Sequence, residues 1–397
     1  MPRTPSLTLL VSSLIMSTSR GIISPLLVIA LSRQVHLGPA GVGTLMGIAI
    51  LCASLYGLYG GHLADRGHCR SLLLLSLGLM AAGCLLLPAS AGWPQALAAL
   101  LLVEVAYVLF GILIRTAFSL WLPAEQRARA FAQLYTLNNI GFTVGPLLGS
   151  LLAGSTASAP FWAASGLVLT ALPLIVRLPG MKMPRQGSSA APKFRQTLQR
   201  LQRDRTLVLF TLGSLLAYLV YGRFTAYLAL CLMPDHNYRE VLRWTSALLA
   251  TNALTVIVLQ YPASKLFHKD NLIAMGIAGS CLLALGLIGF SVMGSLWQWC
   301  AAMVLFTLGE ITIVPTAFLF IDSIAPRAHE GSYYGAQQLA NLGGAISPTL
   351  SGLVLAHHAP ADLLWLLAAL ALLGGLFMHL AARQHAGHAA QTALNIE

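Results

Sequence analysis

Charged residues are scarce in this sequence, and their scarcity decides the class of protein. Only 9% of the 397 residues are charged, whereas 57% are hydrophobic and the mean hydropathy is +0.76. A water-soluble domain needs far more charge than this to cover its surface. The composition therefore excludes a soluble protein and predicts an integral membrane protein.

Paired cysteines and catalytic constellations are also missing. The six cysteines are scattered, and no two of them form a C-x-x-C pair. This spacing is typical of small apolar packing residues, so neither a disulfide framework nor a metal site is predicted, and we expect no cofactor. Because the sequence shows no nucleophile with a matching base either, we predict that the protein is not an enzyme.

What the chain does contain is a series of long apolar runs. About twelve runs are long enough to cross roughly 30 Å of hydrocarbon. The first is too long and too polar for a cleaved signal peptide, so we interpret it as helix 1. The runs begin near residues 7, 39, 70, 95, 131, 159, 207, 244, 271, 297, 335 and 361.

Lysine and arginine are unevenly distributed between the loops. With the N-terminus inside, the cytoplasmic segments hold about 17 of the 23 basic residues, and eight of these lie between Arg177 and Arg205. The positive-inside rule then predicts that both termini are cytoplasmic. The net charge of +11 is explained by this bias, so we predict no nucleic-acid partner.

An internal repeat divides the chain near its midpoint. An offset of 202 residues lays the stretch LNNIGFTVGPLLGS, 137–150, over LANLGGAISPTLSG, 339–352. The polar, basic segment between the halves predicts a linker. We therefore expect a six-helix bundle at 1–178, a cytoplasmic linker at 179–206, a second six-helix bundle at 207–382 and a cytoplasmic tail at 383–397.

Two six-helix halves with a cytoplasmic linker describe the major facilitator architecture, and one loop makes the resemblance specific. The chain reads GGHLADRGHCR between helices 2 and 3, which resembles the superfamily's G-x-L-A-D-R-x-G-R-R loop. Asp65 stands where it can pair with a basic group across the interface between the halves, as a latch; an ordinary solvated turn is the alternative. The matching residues are Gly61, Leu63, Ala64, Asp65, Arg66 and Arg70.

Helix 5 carries a second motif, GFTVGPLLGS. It matches the G-x-x-x-G-P-x-x-G pattern of proton-coupled exporters in this superfamily. Gly141, Gly145 and Gly149 form a smooth strip for close helix packing, and Pro146 removes one backbone hydrogen bond and bends the helix. The resemblance covers the whole chain and is closest to the twelve-helix drug:proton antiporters, particularly an enterobacterial multidrug and dipeptide efflux subgroup.

The resemblance implies that helices 1, 4, 7 and 10 line a central cavity. Each carries one charge at membrane depth, and we expect these charges to be proton-coupling or cavity groups. Many relatives reverse the charges of helices 1 and 4, which makes a direct transfer of their proton site unsafe. The four residues are Arg20, Glu104, Arg223 and Glu310.

Arg20 and Glu104 lie at similar depths, roughly 13 to 17 Å from the periplasmic side at 1.5 Å per residue. Ser13, Ser17, Arg20 and Ser24 form a polar stripe on helix 1, which we expect to face inward. The sequence therefore predicts contact between Arg20 and Glu104. Two roles stay open: a pair that breaks during proton transfer, because burial favours the neutral acid and an arginine favours the carboxylate, or a permanent bridge.

Further polar groups are candidates for the substrate cavity, although each is equally explained as a contact that joins helices. Arg115, eleven residues beyond Glu104 on the same face, is interpreted either as a displaced cavity arginine or as a side chain that reaches the cytoplasm. The cavity candidates are Ser17, Ser24, Tyr107, Arg115, Tyr135, Asn139, Tyr227, Asn252 and Asn341.

These features predict a proton-coupled secondary transporter that exports drugs, dipeptides or related metabolites by rocking-bundle alternating access. We expect it in a bacterial inner membrane, as a monomer that binds small-molecule substrates and protons. A sugar or nutrient carrier of the same fold is the alternative. A membrane-embedded enzyme and a non-transporting sensor belong to other classes, which reconstitution into liposomes would distinguish.

Overall fold

The chain is helical throughout the part that the structure describes. The computed structural model describes residues 3–34, 39–66, 69–153, 156, 158–178, 193–267, 271–327 and 329–394, and contains no strand within them. The helices are α1 Arg3–Gln34, α2 Pro39–Asp65, α3 Cys69–Leu86, α4 Trp93–Trp121, α5 Ala124–Ala153, α6 Ala159–Leu169, α7 Leu172–Val176, α8 Phe194–Arg203, α9 Arg205–Tyr221, α10 Phe224–Leu232, α11 Tyr238–Ser264, α12 Leu272–Val292, α13 Leu296–Ile324, α14 Glu330–Gln337, α15 Asn341–Leu355 and α16 Pro360–Leu394.

Each of the twelve predicted apolar runs coincides with one helix or with two consecutive helices. Within the described ranges, nine helices are long and apolar enough to cross a membrane, or ten if α8 and α9, bent by 78° at their junction, count as one span. An unbroken helix satisfies its own backbone hydrogen bonds, which a bilayer core requires. The predicted all-α membrane fold is confirmed.

The contacts between Cα atoms divide the chain into two compact units. The first unit comprises Met1–Thr197 and Ala325–Gln338, and the second comprises Leu198–Ile324 and Leu339–Glu397. The segment that contains α14 is therefore grouped with the first unit, although it follows α13 in sequence. The predicted domain bounds stay a prediction, and residues 179–192 of the predicted linker and 395–397 of the tail lie outside the described residues.

Within the first unit, α1 packs mainly against α5, α3 against α4, and α2 against both α4 and α14. Within the second unit, α12 packs against α13 and α16, and α9 packs against α16 and α15. Both units thus place a helix that was predicted to line the cavity, α1 or α9, directly against the helix that carries the repeated motif, α5 or α15.

Several membrane segments are interrupted. Gly222 and Arg223 separate α9 from α10, and a short 3-10 turn, Gln338–Ala340, separates α14 from α15. Pro146, Pro262, Pro315 and Pro348 lie inside helices. A break in a helix leaves backbone N–H and C=O groups without their helical hydrogen bonds. Interrupted segments are therefore suited to positions where side chains or a cavity supply other hydrogen-bond partners for these groups.

Candidate functional site

The first buried charge cluster joins α1 to α4. Nη2 of Arg20 donates a hydrogen bond to Oε1 of Glu104, and the two form an ion pair. Arg20 is 9% exposed and Glu104 is 8% exposed. The predicted contact is therefore confirmed, whereas its role in proton transfer stays a prediction.

This ion pair does not use the full hydrogen-bonding capacity of the guanidinium. Nη1 of Arg20 is buried and has no acceptor among the described residues. Arginine binds a carboxylate most strongly through two parallel N–H···O bonds. The single contact therefore holds Glu104 less firmly than a two-bond fork would, and it leaves one buried donor for another acceptor.

Glycines on α5 set the position of Arg20. A Cβ atom on Gly141 would lie 2.2 Å from the Ser17 hydroxyl oxygen, and one on Gly145 would lie 2.6 Å from the Gly21 Cα atom. No side chain larger than hydrogen fits at either position without moving the backbone. The exporter-like motif thus packs on the turn of α1 that carries Arg20.

Ser13 and Ser17 of the polar stripe on α1 face α5, whereas Arg20 of the same stripe contacts Glu104 on α4. Ser17 is fully buried and its hydroxyl donates to the backbone carbonyl of Ser13 at 2.9 Å. Ser13 in turn donates to Oδ1 of Asn138 on α5 at 2.8 Å. Burial against another helix excludes Ser17 from the cavity surface, while Ser24, farther along, is half-buried.

For Asn139 a substrate contact and a contact between helices were equally open, and the structure gives it a hydrogen bond within its own helix. Its amide donates to the carbonyl of Tyr135, one turn earlier in the same helix, at 3.0 Å. The neighbouring Asn138 makes the contact with α1 instead. Two adjacent residues on a helix point about 100° apart, so the choice between them depends on how α5 is rotated against α1.

A second polar face runs along α4 from Glu104. Tyr107 is half-buried, and its ring meets that of Phe142 edge-on at 5.9 Å between centroids. Arg115 is half-buried and lies close enough to Tyr107 and Tyr334 to interact with them electrostatically. Arg115 thus has two tyrosines of its own unit as neighbours. Its role as a cavity residue stays a prediction, and so does that of the buried Tyr135.

Asp65, in the loop motif after α2, has a different kind of partner from the one expected. The carboxylate of Asp65 accepts hydrogen bonds from the N–H of Gly331 at 2.6 Å, from the N–H of Ser332 at 2.9 Å, and from the Ser332 hydroxyl. The partner is the N-terminus of α14, where backbone N–H groups and the helix dipole favour an anion, and not the basic side chain that we expected.

Gly61 of the same motif makes this contact possible. A Cβ atom there would lie 2.2 Å from the carbonyl oxygen of Gly331, so α2 and α14 meet backbone to backbone. Arg66 is exposed and Arg70 is half-buried. The loop departs from the family pattern at positions 68 and 69. Residue 68 lies outside the described residues, and Cys69 is buried at the start of α3.

The second unit holds its own buried acid. Glu310 on α13 is 8% exposed, and Asn252 on α11 donates its amide to Oε2 of Glu310 at 2.8 Å. The same amide group donates to the hydroxyl of Thr307 at 3.1 Å, and Thr307 donates onward to the Met303 carbonyl at 2.7 Å. Asn252 is therefore a support of Glu310, which the sequence did not predict.

The break between α9 and α10 lies beside this acid. Tyr227 is fully buried and donates its hydroxyl to the carbonyl of Val220 at 3.0 Å, which satisfies a group near the end of α9. Tyr221 and Tyr227 are both close enough to Glu310 to interact electrostatically. Arg223 has an exposed side chain at the start of α10, and Asn341 begins α15.

Sequence reasoning missed residues whose importance depends on tertiary contact. Gly21 follows Arg20 directly and receives the glycine strip of α5, so a glycine beside a buried charge was the available signal. Asn138 and Ser332 carried no such signal. Asn138 is next to Asn139, which is the residue that the internal repeat aligns, and nothing in the sequence around Ser332 indicates a partner for Asp65.

Ionisable groups inside membrane helices are rare, and they mark substrate or ion pathways, proton relays, voltage sensors or ligand counter-ions. No cluster of metal-ligating side chains occurs in the described part of the chain. The profile described as Major Facilitator Superfamily matches residues 9–348. The chain belongs to this superfamily, and it is a transporter and not an enzyme.

Related proteins and structures agree with this assignment. The Uncharacterized MFS-type transporter YdeE of Escherichia coli strain K12 is 32% identical over 91% of this chain and 91% of that protein. The Multidrug resistance protein MdtH of Photorhabdus laumondii is 26% identical over 83% of this chain and 82% of that protein. The transporter FucP in the outward conformation shares the fold, with a TM-score of 0.77 at 15% identity over 96% of this chain and 99% of that one.

Proposed function

We propose that this protein is a proton-coupled exporter of small molecules that works by alternating access. Its substrates are drugs, dipeptides or related metabolites. It acts as a monomer in a bacterial inner membrane with both termini in the cytoplasm, and the excess of basic residues in the predicted cytoplasmic segments supports this orientation.

The observation that carries the proposal is the environment of Glu310. A carboxylic acid inside a membrane helix costs free energy to maintain and is rarely placed there without a role. Glu310 is buried and receives its hydrogen bond from a neutral amide, that of Asn252. Burial favours the protonated acid and a hydrogen-bond donor such as Asn252 favours the carboxylate, so two opposing effects act on Glu310 and suit it to bind and release a proton.

Two further features support export as the direction of transport. The strip of Gly141, Gly145 and Gly149 followed by Pro146 matches the motif of proton-coupled exporters, and it packs against the helix that carries Arg20. In addition, the relative from Photorhabdus laumondii is named a multidrug resistance protein. Close backbone contact lets two helices move as one body while a site elsewhere opens and closes.

The experiment is transport by the purified protein in liposomes under an imposed pH gradient. A panel of amphipathic dyes, dipeptides and sugars is loaded on one side, and the movement of solute and protons is followed together. We expect a dye or dipeptide to move against its gradient in exchange for protons, and Glu310→Gln to remove the proton-driven component.

Glu125→Gln is the matched control, because Glu125 is exposed in the first turn of α5. It makes the same chemical change outside the bundle core and should transport normally. Proton-driven transport that persists in Glu310→Gln would exclude Glu310 as the coupling group. Movement of a sugar together with protons, and of no other solute, would favour the nutrient carrier.

A further inference from the structure

A polar cavity lies where three helices of the second unit end together. Its volume is about 470 Å³. α9 begins at Arg205, α13 ends at Ile324, and the apolar span of α16 ends at His385. The residues that line it are Arg203, Asp204, Arg205, Thr206, Ile324, Gln384 and His385. It therefore lies at the level where membrane helices emerge from the hydrocarbon layer.

Most of the ionisable residues that line this cavity are basic. Arg203 and Arg205 each carry a full positive charge, and His385 adds an imidazole. Asp204 supplies one negative charge, but its Oδ1 accepts the N–H of Leu207 at 3.1 Å and thereby caps α9. The two guanidinium groups leave the lining with a positive balance, which suits an anionic ligand.

The backbone brings the two arginines to the same cavity. α8 ends at Arg203 and α9 begins at Arg205, and the two helices meet at 78°. In a continuous helix, residues two positions apart point about 200° away from each other. The bend at Asp204 therefore allows both arginines to line one cavity, which a straight helix would prevent.

The opposite wall is held by an aromatic stack. The ring of His385 lies edge-on to that of Phe320 at 6.4 Å, and Phe320 stacks on Phe210 at 4.2 Å with the planes 21° apart. These rings connect α16, α13 and α9. Packed rings of three helices thus form one wall of the cavity, while Arg203, Arg205 and His385 are exposed to solvent.

We propose that this cavity binds the phosphate of an anionic phospholipid headgroup. Arginine presents planar N–H donors that match phosphate oxygens, and basic pockets between membrane helices recognise anionic headgroups. Membrane phospholipids keep their phosphates at this depth permanently, whereas a soluble anion reaches it only from bulk water. The site is separate from the buried acids and independent of the proposed transport function.

The test is native mass spectrometry of the full chain, released from detergent micelles after titration with phosphatidylglycerol. Arg203→Gln combined with Arg205→Gln should weaken the tightest binding by about 30-fold, since each basic residue near an anionic surface contributes about fivefold. Replacing both by lysine keeps the charge but removes the planar fork, and should weaken binding by less.

The matched control is Arg200→Gln combined with Arg383→Gln. Both arginines are exposed and lie outside the cavity, on α8 and α16, so the loss of charge is identical. This control should bind phosphatidylglycerol as the unaltered protein does. Equal weakening in both double variants would mean that only general surface charge is involved, and would overturn the site.

Two competitors distinguish the source of the phosphate. Phosphatidylcholine, which is zwitterionic, and inorganic phosphate are added separately at the same concentration as phosphatidylglycerol. We expect neither to displace the bound phosphatidylglycerol. Equal binding of phosphatidylcholine would overturn the requirement for an anionic headgroup, and displacement by inorganic phosphate would replace the lipid by a soluble anion.

Discussion

The two units each bury one acid, but they hold it in opposite ways. Glu104 in the first unit meets the guanidinium of Arg20, whereas Glu310 in the second meets the amide of Asn252. A full positive charge stabilises the ionised carboxylate far more than a neutral donor does. The two units therefore bury their acids beside different donors, a cation in the first unit and an amide in the second.

The arginines of the two repeated halves also differ in their burial. The repeat offset of 202 residues places Gly222 opposite Arg20, so Arg223 lies one residue from the equivalent position. Arg20 is buried inside an unbroken α1, whereas Arg223 is exposed at the break between α9 and α10. The duplicated framework therefore retains an arginine in both halves but brings only that of the first unit against its acid.

The glycine strip also diverges between the halves. Gly141 and its counterpart Gly343 both approach a backbone, that of α1 at Ser17 and that of α9 at Leu215. At the next two positions, however, Gly145 and Gly149 correspond to Ser347 and Ser351. The tightest contact persists in both units, while the longer smooth strip belongs to the first unit alone.

Gly145→Leu is the change with the largest expected effect on this comparison. A Cβ atom at position 145 would already lie 2.6 Å from the Gly21 Cα atom, and a leucine adds three more carbons. Overpacking typically costs about 1–3 kcal/mol, and more where the backbone itself must move. We expect transport to be abolished, as measured in liposomes with the protein inserted at normal levels.

Gly352→Leu provides the matched control in α15, because no atom lies within 4 Å of a Cβ built there. It should insert and transport almost normally. Near-normal transport by well-inserted Gly145→Leu protein would show that the close contact between α1 and α5 is not needed in the cycle.

Arg20→Leu tests the ion pair and should have the next largest effect. It leaves Glu104 buried without its cation, and breaking a buried pair by removing one partner costs about 3–5 kcal/mol. We expect the midpoint of thermal unfolding in detergent to fall and the pH dependence of transport to be lost or transport to stop.

Combining Arg20→Glu with Glu104→Arg restores opposite charges in exchanged positions and should recover part of both properties. If the exchanged pair is no better than either single variant, pairing between these two charges is not what the site requires.

Much of this arrangement was predictable, because depth along a helix can be counted from sequence. Arg20 and Glu104 were expected to meet since both lie at similar distances from the same membrane face, and the structure confirms the contact. The twelve segments followed from the lengths of the apolar runs in the same way. Counting residues gives the position of a side chain along the helix axis, and the thickness of the bilayer converts that position into a depth in the membrane.

Rotation about a helix axis and contacts distant in sequence were not predictable. Asn139 was a candidate and Asn138 was not, yet Asn138 accepts the hydrogen bond from Ser13. For Asp65, a basic side chain was expected because charges attract, yet the partner is the first turn of α14, 266 positions away in the chain. A helix N-terminus carries no formal charge that can be read from sequence.

Asn252→Ala tests the amide that distinguishes Glu310 from Glu104. It removes hydrogen bonds to Glu310 and Thr307, and deleting a buried partner typically costs about 1–3 kcal/mol. Because the lost donor stabilises the carboxylate more than the neutral acid, its removal favours protonation. We expect transport to persist with its pH profile displaced to higher pH, as measured by initial rates across a pH series.

Asn271→Ala is the control for this variant, since Asn271 is outside the acid's surroundings and donates to the Leu266 carbonyl near the start of α12. Its pH profile should be that of the unaltered protein. An unchanged profile in Asn252→Ala would mean that the amide does not influence the proton site.

Asp65→Asn should have the smallest effect and extends the comparison to the loops. The repeat offset places the buried Phe267 opposite Asp65, so the first unit alone carries an acid at this point. Asparagine keeps the shape of aspartate but loses its charge and one acceptor oxygen. A charge at a helix N-terminus contributes about 0.3–1 kcal/mol when exposed and up to about 2 kcal/mol when partly buried. We therefore expect a weakened contact between α2 and α14, and a few-fold lower transport rate.

The measurement is the labelling rate of single cysteines introduced on each side of the membrane, compared with that of Asp235→Asn, which removes an exposed carboxylate elsewhere. If Asp65 stabilises the outward-facing state, cysteines on the cytoplasmic side should react faster in Asp65→Asn and those on the periplasmic side more slowly, while Asp235→Asn changes neither. Since three hydrogen bonds converge on one carboxylate, a purely local role would instead lower thermal stability and leave both labelling rates unchanged. That result would make Asp65 a fixed connection between α2 and α14 and remove it from the transport cycle.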